Sequence, residues 1–208
     1  SGRTQQLDTA SCCMKINLGS GYKRVDGFLN VDDDPLVNPD FLVDIEHDKL
    51  PFEDNSVEEI RAHHILEHIG EGFIPLMKEL YRVSKHGAIL DIVVPHHFHD
   101  NFYSDPTHKR PITVGGMYMF CQKTNKEHIE AYGSSSGMGL KYGINFEMVW
   151  FDFEYDQFYA DMVQGTKERM EQGLLAPEDE FVFRRLMREA NNVAVHTMIK
   201  MRAIKEEE

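Results

Sequence analysis

The chain has 208 residues, of which 41% are hydrophobic and 27% charged, and its formal net charge at pH 7 is −13. This composition is that of an ordinary globular protein, and the length allows one sizeable hydrophobic core. The acidic excess argues against broad nucleic-acid binding, which relies on clustered Lys and Arg. Because no apolar run reaches the length of a membrane span and no hydrophobic signal core is visible, we expect a cytoplasmic protein without membrane attachment.

The three cysteines exclude two common stabilising devices. Cys12 and Cys13 are adjacent, and Cys121 is far away along the chain. This arrangement supplies neither a disulfide framework nor a spaced set of zinc ligands. We expect reduced thiols without a structural role.

Strand-like and helix-like runs alternate through the first half of the chain. The strands predicted from apolar runs are 15–18, 28–32, 41–45, 57–62 and 88–95. A helical face runs from Ile65 to Val83, is broken near Gly70 to Pro75, and is expected to end before a Lys85-His86-Gly87 C-cap. This alternation predicts an α/β fold on a mostly parallel sheet. We expect a flexible leader over 1–14 and a single domain over 15–208.

The second half carries the predicted loops and lid. Residues 101–143 are rich in Gly, Ser and Pro, with a helix predicted around 114–122, and are expected to form loops over a site. A strand over 145–157, a helical excursion over 159–190 and a closing strand over 192–205 predict an antiparallel hairpin carrying a lid. Segments 101–143 and 159–190 are therefore expected to shape the substrate pocket.

The segment from Lys15 to Asp32 gives the clearest functional signal. It places a short apolar strand, a Gly-Ser-Gly turn and a second strand ending in Asp32 in direct succession. Gly19 and Gly21 allow backbone N–H groups to approach a ligand, and the Asp32 carboxylate can accept from ribose hydroxyls. In dinucleotide-binding folds the acidic residue follows about twenty residues later, after a full helix. The short gap leaves no room for that helix, which favours a nucleoside without a pyrophosphate.

Four ordered segments resemble one enzyme family. They are Asn17-Leu18-Gly19-Ser20-Gly21, Leu29-Asn30-Val31-Asp32, the LPFEDNS run at 50–56 and the HILEH run at 64–68. Together they are similar to the class I S-adenosylmethionine-dependent methyltransferases, especially small single-domain members of the type-11-like group. The DPTHKR run at 105–110 also looks like members of that group.

The resemblance implies a fold and an activity. The implied fold is a Rossmann-like α/β fold with a mostly parallel seven-stranded sheet, an antiparallel last strand, a reduced first helix and a helical insertion before the last strand. The implied activity is transfer of a methyl group from S-adenosylmethionine to an oxygen or nitrogen of a small-molecule acceptor. The cofactor residues it implies are Leu18, Gly19, Ser20, Gly21, Asp32, Asp44, Ile45, Asp48, His63 and His64. Asp44 and Asp48 compete for the place near the adenine, and spacing does not separate them.

Histidines are the candidates for acid–base chemistry. Seven of the eleven fall at the ends of predicted strands four and five or in the loop that follows: His63, His64, His68, His96, His97, His99 and His108. Imidazole titrates near neutral pH and can remove a proton from an attacking nucleophile. The predicted bases are His96, His97 and His108. Asp105 and Arg110 are predicted substrate contacts, since a guanidinium binds carboxylate or phosphate through paired hydrogen bonds, although Arg110 fits a surface salt bridge equally well.

Other kinds of chemistry have weaker support in the sequence than methyl transfer. His64 and His68 share a helical face, but the His-Glu-x-x-His pattern and a carboxylate set are missing, so no metal is expected. The chain also lacks the tetrapeptide of DNA amino-methylating enzymes after strand four and a cysteine placed for cytosine carbon-5 chemistry. Two alternatives stay open: a non-catalytic S-adenosylmethionine- or nucleoside-binding module, and a histidine-rich metal-dependent hydrolase. The aromatic-rich strand at 146–159 leaves an oligomer open.

Overall fold

A computed structural model describes residues 13–133, 136–174, 176, 178–179, 181 and 191–205. Seven strands form one sheet: β1 Met14–Leu18, β2 Leu29–Asp32, β3 Phe41–Leu42, β4 Val57–His63, β5 Ser84–Pro95, β6 Phe146–Tyr155 and β7 Ala194–Ala203. Their order across the sheet is β3-β2-β1-β4-β5-β7-β6. β1 to β5 pair in parallel, whereas β7 is antiparallel to both β5 and β6. The predicted α/β fold with a seven-stranded sheet and an antiparallel last strand is therefore confirmed.

In the described stretches up to residue 174 and from 191 to 205, six helices and two short 3-10 turns connect the strands. The helices are α1 Phe73–Val83, α2 Asp100–Ser104, α3 Val114–Tyr118, α4 Gln122–Tyr132, α5 Met138–Tyr142 and α6 Gln157–Glu171, and the 3-10 turns are Pro35–Val37 and Leu66–His68. α1 packs a row of apolar side chains against the sheet, with Met77, Leu80 and Val83 fully buried. They join Leu18, Ile60 and Leu90 of the central strands in the core. Among the described helices, none combines the length and apolar character needed to cross a bilayer.

The connection from β1 to β2 contains no helix, as the short spacing predicts. Residues 19–28 form turns instead, with the Ser20 N–H donating to Val31 O and the Lys23 N–H donating to Ser20 O. Beneath these turns the buried Asn17 side-chain amide donates to Asn30 Oδ1 at 3.0 Å. This buried amide pair ties the two strand ends together, so that the Gly turn and Asp32 lie side by side.

Several element boundaries differ from the sequence-based expectation. β3 contains two residues rather than five, because Val43 N–H donates to Asp32 O and the chain then turns through Asp44. The proposed C-cap at Lys85-His86-Gly87 is wrong, since α1 ends at Val83 and β5 already begins at Ser84, which pairs with Val57. The helix expected around 114–122 is two helices, α3 and α4, separated at residues 119–121.

The termini and the lid are described in part. Met14 already belongs to β1, and the leader preceding residue 13 lies outside the described residues. α6 forms the first half of the predicted excursion at 159–190, while residues 182–190 lie outside the described part. β6 is an edge strand, and three consecutive side chains on it are exposed: Val149, Trp150 and Phe151.

Candidate functional site

A cavity of about 520 Å³ lies at the carboxyl ends of the parallel strands. This volume falls in the range of small-molecule sites, about 300 to 1,000 Å³. Its lining residues are Gly19, Gly21, Asp32, Asp33, Val43, Asp44, Ile45, Glu46, His64, Ile65, His68, Ile69, Thr107 and Lys109. The cavity lies where the strand order reverses between β1 and β4, which is where open α/β sheets bind ligands.

The Gly turn and Asp32 form one connected unit at the edge of this cavity. Gly19 and Gly21 have φ values of +58° and +49°, a region that favours glycine. The Gly21 N–H donates to Asp32 Oδ2 at 2.7 Å, and the Asp34 N–H donates to Asp32 Oδ1 at 3.0 Å. Since each carboxylate oxygen accepts only one of these bonds, both keep capacity for hydroxyl donors from a ligand.

Close packing explains why the first glycine of the turn is needed. A Cβ atom at Gly19 would lie 2.6 Å from Cδ1 of Ile65, which lines the cavity. Leu18 and Ser20 are buried behind the turn and do not line the cavity. Ser20 Oγ has no hydrogen-bond partner within the described ranges.

The segment after β3 separates the two aspartates that spacing left open. Asp44 and Ile45 line the cavity, whereas Asp48 lies outside it and donates its N–H to Asp44 O at 2.8 Å. A hydrogen bond from His47 Nδ1, at 2.8 Å, is the main cause that lowers the pKa of Asp44 below its usual value. Of the two, only Asp44 is therefore placed to contact a ligand in this cavity.

The cavity wall carries more negative than positive charge. Among the described lining residues the carboxylates are Asp32, Asp33, Asp44 and Glu46, and the single Lys or Arg is Lys109. Lys109 Nζ is already paired with Glu46 Oε2 at 2.8 Å, and this contact is the main cause that lowers the pKa of Glu46. A cationic ligand therefore suits the cavity better than a polyanionic one.

The end of β4 brings one predicted histidine into the cavity and leaves the other outside. His64 lines the cavity and adopts φ of +56°, which is uncommon for a residue other than glycine. Its ring lies 4.8 Å from the ring of His196. His63 lies outside the cavity lining, with Nε2 3.2 Å from Asp91 Oδ2 on β5.

Comparison with known proteins identifies the fold but not the sequence family. No protein-family model and no curated protein sequence matches the chain. Solved structures do match. One is an S-adenosylmethionine-dependent methyltransferase from Archaeoglobus fulgidus, with a TM-score of 0.58 at 14% identity, and the match covers 92% of this chain and 86% of that one. YcgJ from Bacillus subtilis gives a TM-score of 0.53 at 14% identity, over 96% of each chain. The chain has the class I methyltransferase fold.

The methyltransferase fold does not by itself determine the reaction. A cyclase of the 4+2 type, SpnF, matches with a TM-score of 0.52 at 14% identity, over 93% of this chain and 76% of its own. Folds of this kind are shared among different activities, so function must be argued from the site. In the methyltransferase fold of this chain, that site is the cavity at the switch between β1 and β4.

Two of the three predicted base histidines follow β5. Burial, followed by the neighbouring His97 and His99, lowers the pKa of His96 to about 4, and its side chain is 3% exposed. Its Nδ1 accepts the Phe98 N–H at 3.3 Å, so the neutral ring carries its proton on Nε2. Burial also lowers the pKa of His97. Neither ring lines the cavity.

The segment at 105–110 approaches the cavity through residues that the sequence did not single out. Thr107 and Lys109 line it, whereas the predicted contacts Asp105, His108 and Arg110 do not. Arg110 Nε and Nη2 donate to the carbonyl oxygens of Ile69 and Gly70, at 3.1 and 2.7 Å. These bonds hold the entry to α1 and engage the guanidinium within the protein.

Glu67 is the least expected polar residue near the cavity. Its side chain is 1% exposed, and neither carboxylate oxygen has a hydrogen-bond partner within the described part of the chain. Its backbone oxygen accepts the N–H groups of Lys109 and Arg110, which joins the two segments. The sequence signal is a glutamate inside the mainly apolar run from Ile65 to Ile69.

Proposed function

We propose that the chain binds S-adenosylmethionine in this cavity and transfers its methyl group to an oxygen or nitrogen of a small-molecule acceptor. The observation that carries the proposal is the pairing of Gly21 with Asp32 at the switch point of a methyltransferase fold. This pairing leaves the Asp32 carboxylate facing a cavity of suitable size. Both of its oxygens can still accept hydrogen bonds. Ribose hydroxyls are the donors that such a carboxylate binds in nucleoside sites.

Charge supports this cofactor over a dinucleotide. S-adenosylmethionine carries a positively charged sulfonium, and the cavity wall has four carboxylates against one lysine that is already paired. A pyrophosphate needs the N-terminus of a helix or unpaired cations, and residues 19–28 provide turns only. The cavity therefore fits a cationic nucleoside.

The segment after β3 gives the adenine end of the proposed site. Val43, Ile45 and Ile69 contribute apolar surface to the cavity, and Asp44 contributes a carboxylate beside them. A flat base fits between apolar side chains, and a carboxylate at the edge can accept from an exocyclic amine. We therefore place the adenine against Ile45 and Asp44, with the sulfonium towards His64.

The second part of the proposal is that a histidine acts as the general base in methyl transfer. Much of the rate gain in methyl transfer can come from holding the nucleophile in line with the methyl–sulfur bond, so a base is not a requirement of the activity. His96 is poorly suited, because its Nδ1 already accepts a hydrogen bond and its pKa is about 4. His97 and His108 stay candidates. Full methyl transfer in His97→Asn and His108→Asn variants would contradict a base role for either.

Calorimetric titration tests the cofactor. We expect 1:1 binding of S-adenosylmethionine and S-adenosylhomocysteine and no binding of NAD. Asp44→Ala should weaken binding, whereas Asp48→Ala, outside the cavity, should leave the affinity unchanged. Failure of both S-adenosyl ligands to bind would refute the proposal.

The alternative is a module that binds the cofactor without transferring its methyl group. The match to the cyclase SpnF is an example of this fold with an activity other than methyl transfer. Formation of S-adenosylhomocysteine, measured over a panel of alcohols, phenols, carboxylates and amines, separates the two. Cofactor binding without turnover on any acceptor would favour the module. Turnover confined to one acceptor class would identify both the activity and the atom that is methylated.

A further inference from the structure

Beside the cavity, Glu67 approaches two imidazoles without a hydrogen bond to either. Oε1 of Glu67 lies 3.6 Å from His64 Nδ1 and 4.0 Å from His108 Nε2. The carboxylate is almost completely buried, and burial of a charge without a partner costs several kcal/mol. The arrangement therefore calls for a cation between these groups.

The hydrogen bonding of His108 leaves one particular nitrogen available. His108 Nδ1 lies 2.6 Å from the carbonyl oxygen of Phe102, which can only accept, so Nδ1 carries the proton. The neutral ring therefore presents the lone pair of Nε2, the nitrogen that approaches Glu67. Metal-binding histidines typically use this arrangement, in which one ring nitrogen donates to a backbone carbonyl and the other binds the metal.

His68 is held in the same way by a different partner. Its Nδ1 lies 2.9 Å from Thr107 Oγ1, and the Thr107 hydroxyl donates to Asp105 Oδ1 at 2.6 Å. Since the single hydroxyl proton goes to the carboxylate, Thr107 Oγ1 accepts from His68 Nδ1–H. His68 Nε2 is then left with its lone pair. The rings of His68 and His108 lie 4.6 Å apart.

We propose that Glu67, His68 and His108 bind a divalent first-row transition metal, a site that goes beyond the proposed methyltransferase function and does not depend on it. One potential ligand atom from each residue lies within 4.8 Å of the other two. Ligand atoms about 2.0–2.2 Å from a metal lie about 3.4 Å apart in a tetrahedron, so side-chain movements of about 1 Å close the shell. Two imidazoles and a carboxylate favour Zn²⁺, Fe²⁺ or Co²⁺ over Mg²⁺ or Ca²⁺.

The position of the site gives the metal access to the cavity. His68 and Thr107 line the cavity, and Glu67 and His108 lie immediately behind them. Three protein ligands leave at least one coordination position open to water or to an oxygen or nitrogen of a ligand. The metal site therefore adjoins the cavity in which we place S-adenosylmethionine.

Metal titration of the tag-free full chain tests the site without any cofactor. We expect 1:1 binding of Zn²⁺ by calorimetry and of Co²⁺ by its visible absorption, with no comparable binding of Mg²⁺. Glu67→Gln and His108→Asn should each weaken Zn²⁺ binding by more than about 100-fold, because they remove a ligand. The new asparagine amide can still donate to the Phe102 carbonyl, so the local fold is retained. Thr107→Val removes the partner of His68 and the hydrogen bond to Asp105 but no metal ligand, so it should weaken binding by about 10–100-fold.

A surface histidine provides the matched control. His128→Asn on the exposed side of α4 should bind Zn²⁺ as the unaltered protein does. Circular dichroism and the urea midpoint of each variant separate loss of a ligand from loss of the fold. Absence of 1:1 binding in the unaltered protein would overturn the proposal. Zn²⁺ affinity in Glu67→Gln and His108→Asn equal to that of the unaltered protein would also overturn it. Either result leaves S-adenosylmethionine binding, measured separately, as a distinct question.

Discussion

Protonation of His96 should make the stability of this protein fall steeply under mildly acidic conditions. Burial is the main cause that lowers the pKa of this imidazole to about 4, against 6.5 for an exposed histidine. As the pH falls below 6.5, the unfolded chain takes up a proton that the folded protein excludes. Stability from this group is therefore fully present above about pH 6.5 and is lost as the pH falls towards 4.

The size of the loss follows from the two pKa values. Their separation sets a ceiling of about 3 kcal/mol on the total change. Of this, about 2 kcal/mol is lost between pH 7 and pH 5, because the unfolded imidazole is almost fully protonated at pH 5 while the folded one is still mostly neutral. That loss is a substantial share of the 5–15 kcal/mol typical of a folded domain.

Urea unfolding of the unaltered protein and of His96→Asn at pH 7 and pH 5 measures the effect. Asparagine keeps a hydrogen-bond acceptor for the Phe98 N–H and does not titrate. The variant should lose about 2 kcal/mol less than the unaltered protein between these pH values. Measurements at pH 8, where the imidazole is neutral in both states, give the cost of the substitution itself. Equal losses in the two proteins would refute the assignment of a buried neutral imidazole to His96.

Three further substitutions test the Gly turn at Gly19, the Asp32 carboxylate and the hydrogen bonds of Arg82. Gly19→Ala should lower the free energy of unfolding by about 2–4 kcal/mol, because its Cβ meets Ile65 at 2.6 Å and φ is positive, whereas Gly115→Ala, with nothing within 4 Å, should change it little. Asp32→Asn should weaken S-adenosylmethionine binding by about 10–100-fold in calorimetry, since a charged acceptor is lost, and unchanged affinity would contradict the ribose placement. The Arg82 guanidinium donates to the carboxylates of Glu79 and Asp54 and to the carbonyl oxygens of Leu50 and Phe52. Because lysine cannot bridge all four residues, Arg82→Lys should lower the free energy of unfolding in urea by about 2–3 kcal/mol. A loss below about 0.5 kcal/mol would refute that role.

The sequence predicts those features of this protein that depend on neighbours along the chain. The strand ending at Leu18, the Gly turn and Asp32 lie within fifteen residues, so their spacing alone excludes a helix between them. The mostly parallel seven-stranded sheet and its antiparallel last strand followed from the alternation of elements together with the family resemblance. The predicted element boundaries were wrong where pairing with a distant strand sets the boundary. Ser84, for example, joins the sheet directly after α1 because it pairs with Val57.

The rest of the candidate site depends on contacts between distant segments. Thr107 and Lys109 reach the cavity because the backbone N–H groups of Lys109 and Arg110 donate to Glu67 O, a contact between segments distant in the sequence that no local pattern predicts. The choice between Asp44 and Asp48 depended on the turn after β3. The burial of Glu67 was equally hidden, since a polar residue in an apolar helical turn usually faces solvent.

The position of β7 between β5 and β6 also constrains how the chain reaches its native state. In the described sheet β6 pairs with β7 alone, so β6 has no place in the sheet until residues 194–203 have been synthesised. Until then the exposed side chains of β6 and the outer edge of β5 remain open to other chains. At this side of the sheet, assembly therefore waits for β7, and truncation before residue 194 would yield an aggregation-prone product rather than a smaller folded domain.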